Sequence, residues 1–353
     1  MNAGIKDVAA EAGVSVGTVS NVLNRPDIVA AATRDRVLTV IARLGFVRNE
    51  TARQLRAGRS RSIGLVVLDV ANPFFTDVAR GAETVADANE TIVMLCNTGE
   101  QPQRELRHLE MLEQLRVLGV LITPVNIKSP RIDAMISRGV PVVLVDRRAA
   151  RRLCCSVSVN DVLGGRLAVA HLLGQGHRRI AFVGGPMSIQ QVRERRVGAE
   201  QALGDAADEL AVLETAALSS AAGRQAAEQL AALSSSRRPT GVFCANDLIA
   251  LGMLQELIRR GLRVPDDIAI VGYDDIDNAA EAIVPLSSVR QPREQLGRTA
   301  AELLFQEVEE GTGHRHRQMV FDPELIARAS SDLQRGRKRP VGGAPGRPAA
   351  AVT

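Results

Sequence analysis

Polar residues capable of holding a small molecule stand at the ends of apolar runs along the chain from residue 63 onward. Asp69 follows the run 63–68, Asp146 follows 141–145, and Gly184-Gly185 follows 179–183. Asn246-Asp247 and Asp274-Asp275 follow 241–243 and 268–272. If these runs are parallel strands, the polar residues converge, because ligands of open α/β sheets sit beyond the strands' carboxyl ends. One carboxylate accepts hydrogen bonds from two neighbouring hydroxyls, and a guanidinium donates to ring or hydroxyl oxygens. Such a set suits a neutral polyol, with Phe74 and Phe75 as apolar faces. Arg147, next to Asp146, is a further cleft candidate that would favour a charged or phosphorylated ligand. Structural alternatives stand beside these readings. Asp247 caps a following helix as readily as it meets a ligand, and Asp275 can pair with a nearby basic residue.

Other chemistries lack their residues. The chain has no Gly-Lys-Ser/Thr phosphate loop, no dinucleotide-binding glycine pattern and no nucleophile elbow, so neither a cofactor nor catalysis is expected. His177, in Gly176-His177-Arg178-Arg179, reads as part of a turn before a strand. His314 and His316 lie two residues apart in a polar turn with no Cys or Asp nearby in sequence, so no metal is expected there. Cys96, Cys154, Cys155 and Cys244 show no metal-ligand spacing, and adjacent cysteines make a poor disulfide. Few thiols in a long chain fit a reducing compartment. Asp7 and Glu11 interrupt any signal-peptide core, and no run approaches the ~20 apolar residues that span a bilayer. The expected location is the cytoplasm, with no membrane partner.

A different chemistry occupies the first sixty or so residues. Residues 1–62 carry ten Lys and Arg against five acids, and residues from 333 carry five more with no acid. Since the whole chain is only +4, the intervening residues are net acidic. A basic head on an acidic body predicts that the head meets a polyanion. Val8, Ala9 and Ala12 share one helical face, Gly13 can stop that helix in the left-handed region, and Ser15 can cap a second one. The second helix buries Val19, Val22 and Leu23 and leaves Val16, Gly17 and Asn21 outward. Short helix, glycine turn, short helix is the arrangement that places a helix in the DNA major groove. A third helix is predicted from Val37, Val40, Ile41 and Leu44, closed by Gly45. Asn49 can then cap two turns ended by Gly58, too short a helix to stand alone.

The run Ile5-Lys6-Asp7-Val8-Ala9, Ala12-Gly13-Val14-Ser15 and Thr18-Val19-Ser20-Asn21-Val22-Leu23-Asn24 resembles the headpiece of the lactose/galactose-repressor (LacI/GalR) family. Asn49, Ala52 and Leu55 resemble its hinge helix, and the likeness extends to about residue 331. The resemblance implies that Val16, Gly17 and Asn21 face base edges, while Ser15, Thr18 and Asn24 contact the DNA backbone. It further implies that Leu55 wedges into the minor groove. Many relatives carry aromatic or amide side chains at the first two reading positions and Arg at the third. Val16 and Gly17 cannot make bidentate bonds, so readout here would lean on Asn21, methyl contacts and DNA shape. By the same resemblance Phe74, Arg195, Asn246 and Asp274 match effector contacts, and Leu218 stands where an aromatic is common. The implied partners are a second copy of the chain, a pseudo-palindromic double-stranded DNA operator, and a small effector of carbohydrate type. The implied activity is ligand-controlled repression.

The elements that must position these residues follow from periodicity. Strands are predicted at 63–68, 91–95, 119–122, 141–145, 179–183, 241–243 and 268–272. Helices are predicted at 74–88, 102–115, 162–173, 193–203, 222–233, 247–260 and 292–309. Alternation of this kind predicts parallel sheets with helices on both faces. So many units exceed one comfortable sheet, so two doubly wound lobes are expected, with the chain changing lobes near Val159–Val162, Ser288–Gln291 and Met319–Phe321. The fold class is thus a small all-α helix-turn-helix head on a body like the periplasmic binding proteins. The predicted boundaries are 1–48 for the head, 49–61 for the hinge, 62–331 for the two-lobed body and 332–353 for a disordered basic tail without leucine heptads. Since both side chains face the cleft rather than the core, Asp274→Ala and Arg195→Ala are each expected to weaken ligand response without opening a cavity, and to leave ligand-free operator binding near wild type if the ligand is an inducer.

Overall fold

The computed structural model describes residues 3–46, 60–126, 129–149, 153–204 and 210–332. The chain divides into two compact units, Met1–Ser60 and Arg61–Thr353.

In the first unit, α1 (Ile5–Ala12), α2 (Val16–Asn24) and α3 (Ala31–Leu44) enclose a core of Val8, Ala9, Ala12, Val19, Val22, Val37 and Val40. Gly13 ends α1 at φ 64° and Gly45 ends α3 at φ 59°, conformations that cost a residue with a Cβ far more. A 3-10 turn at Pro26–Ile28 leads into α3, which begins six residues before the first periodic apolar position, Val37. Those first turns of α3 are exposed or half-buried and carry no apolar signal. An Arg43–Glu11 ion pair ties α3 to α1.

The second unit holds two six-stranded sheets. Its elements run β1 (Ser62–Val67), α4 (Pro73–Ala88), β2 (Ile92–Asn97), α5 (Pro102–Gln114), β3 (Val120–Ile122), α6 (Pro130–Ser137), β4 (Val142–Val145) and β5 (Cys155–Val159) in the first lobe. The second lobe follows with α7 (Asp161–Gly174), β6 (Ile180–Val183), α8 (Gln190–Leu203), β7 (Ala211–Leu213), α9 (Ser220–Ala231), β8 (Gly241–Cys244), α10 (Asp247–Arg259), β9 (Ala269–Asp274), α11 (Asp277–Glu281) and β10 (Ser287–Arg290). The chain then returns to the first lobe with α12 (Arg293–Glu310) and β11 (Gln318–Phe321), and back to the second with β12 (Glu324–Ile326).

The first sheet has the order β11-β5-β4-β3-β1-β2 and the second β12-β10-β9-β8-β6-β7. Every strand pair is parallel except β10 with β12, which is antiparallel. In each sheet the strand order reverses beside its first strand, between β1 and β3 and between β6 and β8, which is where α/β sheets open a crevice.

Three helix pairs cross with backbones in contact: α4 with α12, α7 with α8, and α9 with α10. Each crossing has a glycine on both sides. A Cβ on Gly165 would lie 1.9 Å from the Arg195 carbonyl oxygen, and one on Gly198 1.9 Å from that of Val162. The small residues are thus what bring α7 close enough to α8 for Arg195 to reach Asp161.

Two buried strands escape periodicity because serines stand in them. In β5, Ser156 and Ser158 are buried between Cys155, Val157 and Val159. In β10, the Ser287 backbone amide donates to Ser330 Oγ at 2.8 Å, and Ser288 Oγ donates to Asp247 at 2.7 Å. The β10 hydroxyls thus enter the sheet interior at little cost, whereas Ser156 and Ser158 Oγ in β5 are buried without a hydrogen-bond partner.

Candidate functional site

The cleft is built from strand ends. Two of them, Asp146 after β4 and Asp274 at the end of β9, have φ of 55° and 107°. Positive φ is uncommon for residues other than glycine and costs on the order of 1–3 kcal/mol, strain that tends to gather at binding sites. Asp69, Asn72, Phe74, Phe75, Glu100, Asp146, Gln191, Arg195, Leu218, Asn246, Asp274 and Gln291 all line one cavity, with Leu68 and Ile189. Of the expected effector residues, Asp69, Phe74, Asp146, Arg195, Leu218, Asn246 and Asp274 are therefore brought together.

Arg147 is not. It is buried behind Asp146, whose carbonyl oxygen accepts from its Nη1 at 3.3 Å, and it does not line the cavity. The reading that it would draw in a phosphorylated ligand loses its basis.

Arg195 is the cation of the site, and it is fully engaged. Its Nε donates to Asp161 Oδ1 at 2.8 Å and its Nη1 to the Ala245 carbonyl at 2.7 Å, with Asp274 Oδ1 at 3.9 Å. Its guanidinium lies 3.6 Å from the centre of the Tyr273 ring. Burial works against its charge, but Asp161, Tyr273, Asp274 and Asp146 outweigh that and raise its pKa. Arg195 is 4% exposed. The expectation that Arg195→Ala would act on ligand response alone is thus corrected: truncation would leave a buried carboxylate unpaired.

The two lobes are fastened across the cleft by amides. Asn72, which caps α4 by accepting from Phe74 N at 3.0 Å, donates its Nδ2 to Asp274 Oδ2 at 3.1 Å. Gln191 on α8 donates to the Asp146 carbonyl at 2.8 Å and to its carboxylate. Within the second lobe, Gln291, which follows β10, donates to Asp274 Oδ1 at 2.7 Å. Sequence reasoning missed all three. Asn72-Pro73 was nonetheless readable as a helix start, since Asn caps and Pro favours the first turn. The cavity left between the lobes is about 40 Å³, far below the ~300 Å³ of small-ligand pockets. The hydrogen bonds from Asn72 to Asp274 and from Gln191 to Asp146 cross this space.

Electrostatics favour a ligand without negative charge. Burial, and then Asp161, push the Asp146 carboxyl up to about 8. Burial also raises Asp274 and Glu100, the latter with help from Asp69. An added anion would compound this.

The other strand-end residues have structural work. Asn246 caps α10 by accepting from Ile249 N and donates to the Leu218 carbonyl at 3.1 Å, so it lines the cavity with its hydrogen bonds already committed. Asp247 is buried and accepts from Ile276 N and Ser288 Oγ. Asp275 pairs with Arg290 and Arg328. Gly184 and Gly185 pack against Ala245 and Thr215. His177 Nδ1 meets Thr240 Oγ1 at 3.1 Å, a packing role.

The candidate DNA-reading face lies on α2. Ser15 Oγ accepts from Thr18 N at 3.0 Å and so starts the helix. Ser15, Val16, Gly17, Asn21 and Asn24 are exposed, with Thr18 half-buried beside them. Asn24 Nδ2 donates to the Ser20 carbonyl at 2.9 Å. The hinge positions Asn49, Ala52 and Leu55, and the tail from 333, lie outside the described residues.

One expectation about metals also changes. Cys155, far away in sequence, brings its Sγ to 3.2 Å from His314 Nε2. The premise that no cysteine stands near His314 and His316 does not hold.

Comparison with known proteins identifies the family of the chain. Residues 4–49 match the model for bacterial regulatory proteins of the lacI family, and residues 169–331 match a periplasmic binding protein-like domain. The chain is 33% identical over 336 residues to the HTH-type transcriptional repressor PurR of Photobacterium profundum, covering 92% of this chain and 98% of that one. The PurR of Aliivibrio fischeri is 32% identical over 330 residues, covering 92% and 97%. Among solved structures, the Lac repressor dimer bound to operator and the anti-inducer ONPF superposes with a TM-score of 0.80 at 28% identity, covering 94% of this chain and 99% of that one. The regulator CelR in complex with cellobiose gives 0.68 at 31% identity, covering 93% and 99%. A regulator from Enterococcus faecium with bound ribose gives 0.70 at 28%, covering 76% and 98%. The chain belongs to the LacI family of bacterial transcription regulators.

Proposed function

We propose that this regulator represses transcription as a homodimer and is controlled by a neutral polyhydroxylated effector, a carbohydrate, bound between the lobes. The observation that carries the effector class is the convergence of Asp69, Asp146, Asp274 and Asn246 on one cavity beside Phe74, with Arg195 held by Asp161. Acceptors outnumber free cations there, which suits hydroxyl donors and disfavours phosphate. CelR with cellobiose and the regulator with ribose support the class. Leu218 offers no ring for a sugar to stack on, so Phe74 and Phe75 supply the apolar contact.

Binding of the effector parts Asn72 from Asp274 and Gln191 from Asp146 and substitutes its own hydroxyls. The lobe angle that results sets the spacing of two hinge segments in the dimer, each offering Leu55 to the minor groove. Homodimerisation is supported by the first lobe's edge strand, where Ile92 is 65% and Leu95 45% exposed, and by exposed Leu106, Met111 and Leu115 on or next to α5. Exposed apolar side chains grouped on one edge strand and a helix beside it are of the kind that mark interaction surfaces. No helix among the described residues is long and apolar enough to cross a membrane.

A thermal-shift panel of sugars, sugar phosphates and nucleobases tests the class. A ligand at 100 times its Kd stabilises by about 2.7 kcal/mol. A neutral sugar should stand out; a hit confined to sugar phosphates or nucleobases would overturn the effector class while leaving the DNA-binding role intact.

A further inference from the structure

Four side chains at one edge of the first lobe's sheet take no part in the cleft or in DNA reading. They are Cys155 at the start of β5, Glu307 in the last turn of α12, and His314 and His316 in the connection from α12 to β11. Their ligand atoms all lie within 4.8 Å of one another. We propose that they form a closed, structural site for a divalent transition metal of zinc type.

The distances match such a site. Cys155 Sγ is 3.2 Å from His314 Nε2 and 3.9 Å from His316 Nδ1. His316 Nδ1 is 3.9 Å from Glu307 Oε2. Tetrahedral zinc with bonds of about 2.0–2.3 Å sets neighbouring ligand atoms roughly 3.3–3.6 Å apart. Three edges of 3.2, 3.9 and 3.9 Å bracket that value and the rest lie within 4.8 Å, so side-chain shifts of up to about an ångström close the tetrahedron.

The surroundings are those of a ligand set. His314 Nδ1 is held by Glu310 Oε2 at 2.8 Å, which leaves Nε2 as a lone pair aimed at the cluster. A carboxylate on the far nitrogen of a metal-binding histidine is the usual device for fixing its tautomer and orientation. The Arg317 backbone N–H donates to Cys155 Sγ at 3.3 Å, a bond that favours a thiolate. Glu307 Oε2 is buried and has no hydrogen-bond partner, an anomaly for a carboxylate that a metal bond would remove.

Charge and hardness select the ion. A thiolate and a carboxylate cancel a dication, so the loaded site is neutral, as a half-buried position requires. The thiol proton leaves to solvent as the sulfur–metal bond forms. Thiolate with imidazole favours zinc over magnesium or calcium. Four protein ligands leave no open position, so the ion clamps β5, α12 and β11 together rather than acting on a substrate.

The test uses full-length protein without a polyhistidine tag, stripped with chelator and titrated with Co²⁺ alone, then Zn²⁺. Expected are one tightly held Co²⁺ per chain, tetrahedral visible absorption, a near-ultraviolet thiolate-to-cobalt band, displacement by Zn²⁺ and a higher melting temperature. Cys155→Ser should remove the thiolate band, and Glu310→Gln should weaken binding about 10- to 100-fold. Cys96→Ser, a thiol on the opposite edge strand β2, should change neither. Absence of the thiolate band in wild type, or its survival in Cys155→Ser, overturns the site. The wild-type spectrum decides even where a variant fails to fold.

Discussion

The two functional surfaces are built on opposite terms. On α2 the candidate reading residues Val16, Gly17 and Asn21 are exposed, and the core of the head lies on the other face of the same helix. In the cleft most polar side chains are buried and several are bonded to one another: Gln191 to Asp146, Arg195 to Asp161, and half-buried Asn72 to Asp274. A surface that waits for a large polyanion can leave its donors to water. One that must exclude water before its ligand arrives pairs its donors internally, because unpartnered buried polar groups cost ~1–3 kcal/mol each, and the atoms left without a partner, Asp146 Oδ1, Gln191 Oε1 and Gln291 Oε1, are all acceptors. Recognition residues of the head are therefore separable from stability, whereas those of the body are not.

The largest effect expected from that contrast belongs to Arg195→Ala. Removing one partner of a buried ion pair costs about 3–5 kcal/mol. Denaturant unfolding of the body should show this loss with or without ligand; a loss below 1 kcal/mol would mean that cleft residues are as separable as those of the head. Next in size is Asn21→Ala. It should relax preference at one base pair per half-site by roughly 1–3 kcal/mol and leave the melting temperature where it was. A randomised-site selection read beside a melting curve checks both halves, and a drop in stability with unchanged specificity would place Asn21 in the fold instead.

The smallest effect sharpens the contrast through pH. Asp146 is pushed up from 3.8 to about 8, chiefly by burial. Between those values the unfolded chain has released the proton that the fold retains, so stability falls as pH rises from about 4 through 8 and then levels off. Asp146→Asn removes that loss. Its stability gain over wild type should be larger at pH 8.5 than at pH 5, by on the order of 1 kcal/mol or more. A gain independent of pH would show that the carboxyl is ionised throughout.

Sequence made the strand ends legible because β1, β4, β8 and β9 are unbroken apolar runs with a polar residue after them. The same rule could not tell which polar residue turns into the cavity. Asp274 and Asp275 are adjacent, yet only the first lines it, and the second is held by Arg290 and Arg328. Arg147 was misplaced for the same reason. The amides Asn72 and Gln191 were invisible because their role is to reach the opposite lobe, and Gln291 because its partner Asp274 lies on a neighbouring strand; periodicity carries no information about such partners. Cys155 illustrates the limit most sharply: its neighbours His314 and His316 are brought to it only by the pairing of β5 with β11.

Coupling between the cleft and the reading helix is the core of the proposed function. It is tested most directly by measuring operator affinity, by fluorescence anisotropy on the full-length protein, with and without a saturating concentration of the sugar selected in the thermal-shift panel. Linkage requires the same factor when sugar affinity is measured with and without operator, and allosteric coupling of about 1–3 kcal/mol corresponds to a roughly 5- to 150-fold change. The predicted result is a change of that size, equal in both directions. Operator affinity that stays the same while the sugar fills the cleft would contradict the account.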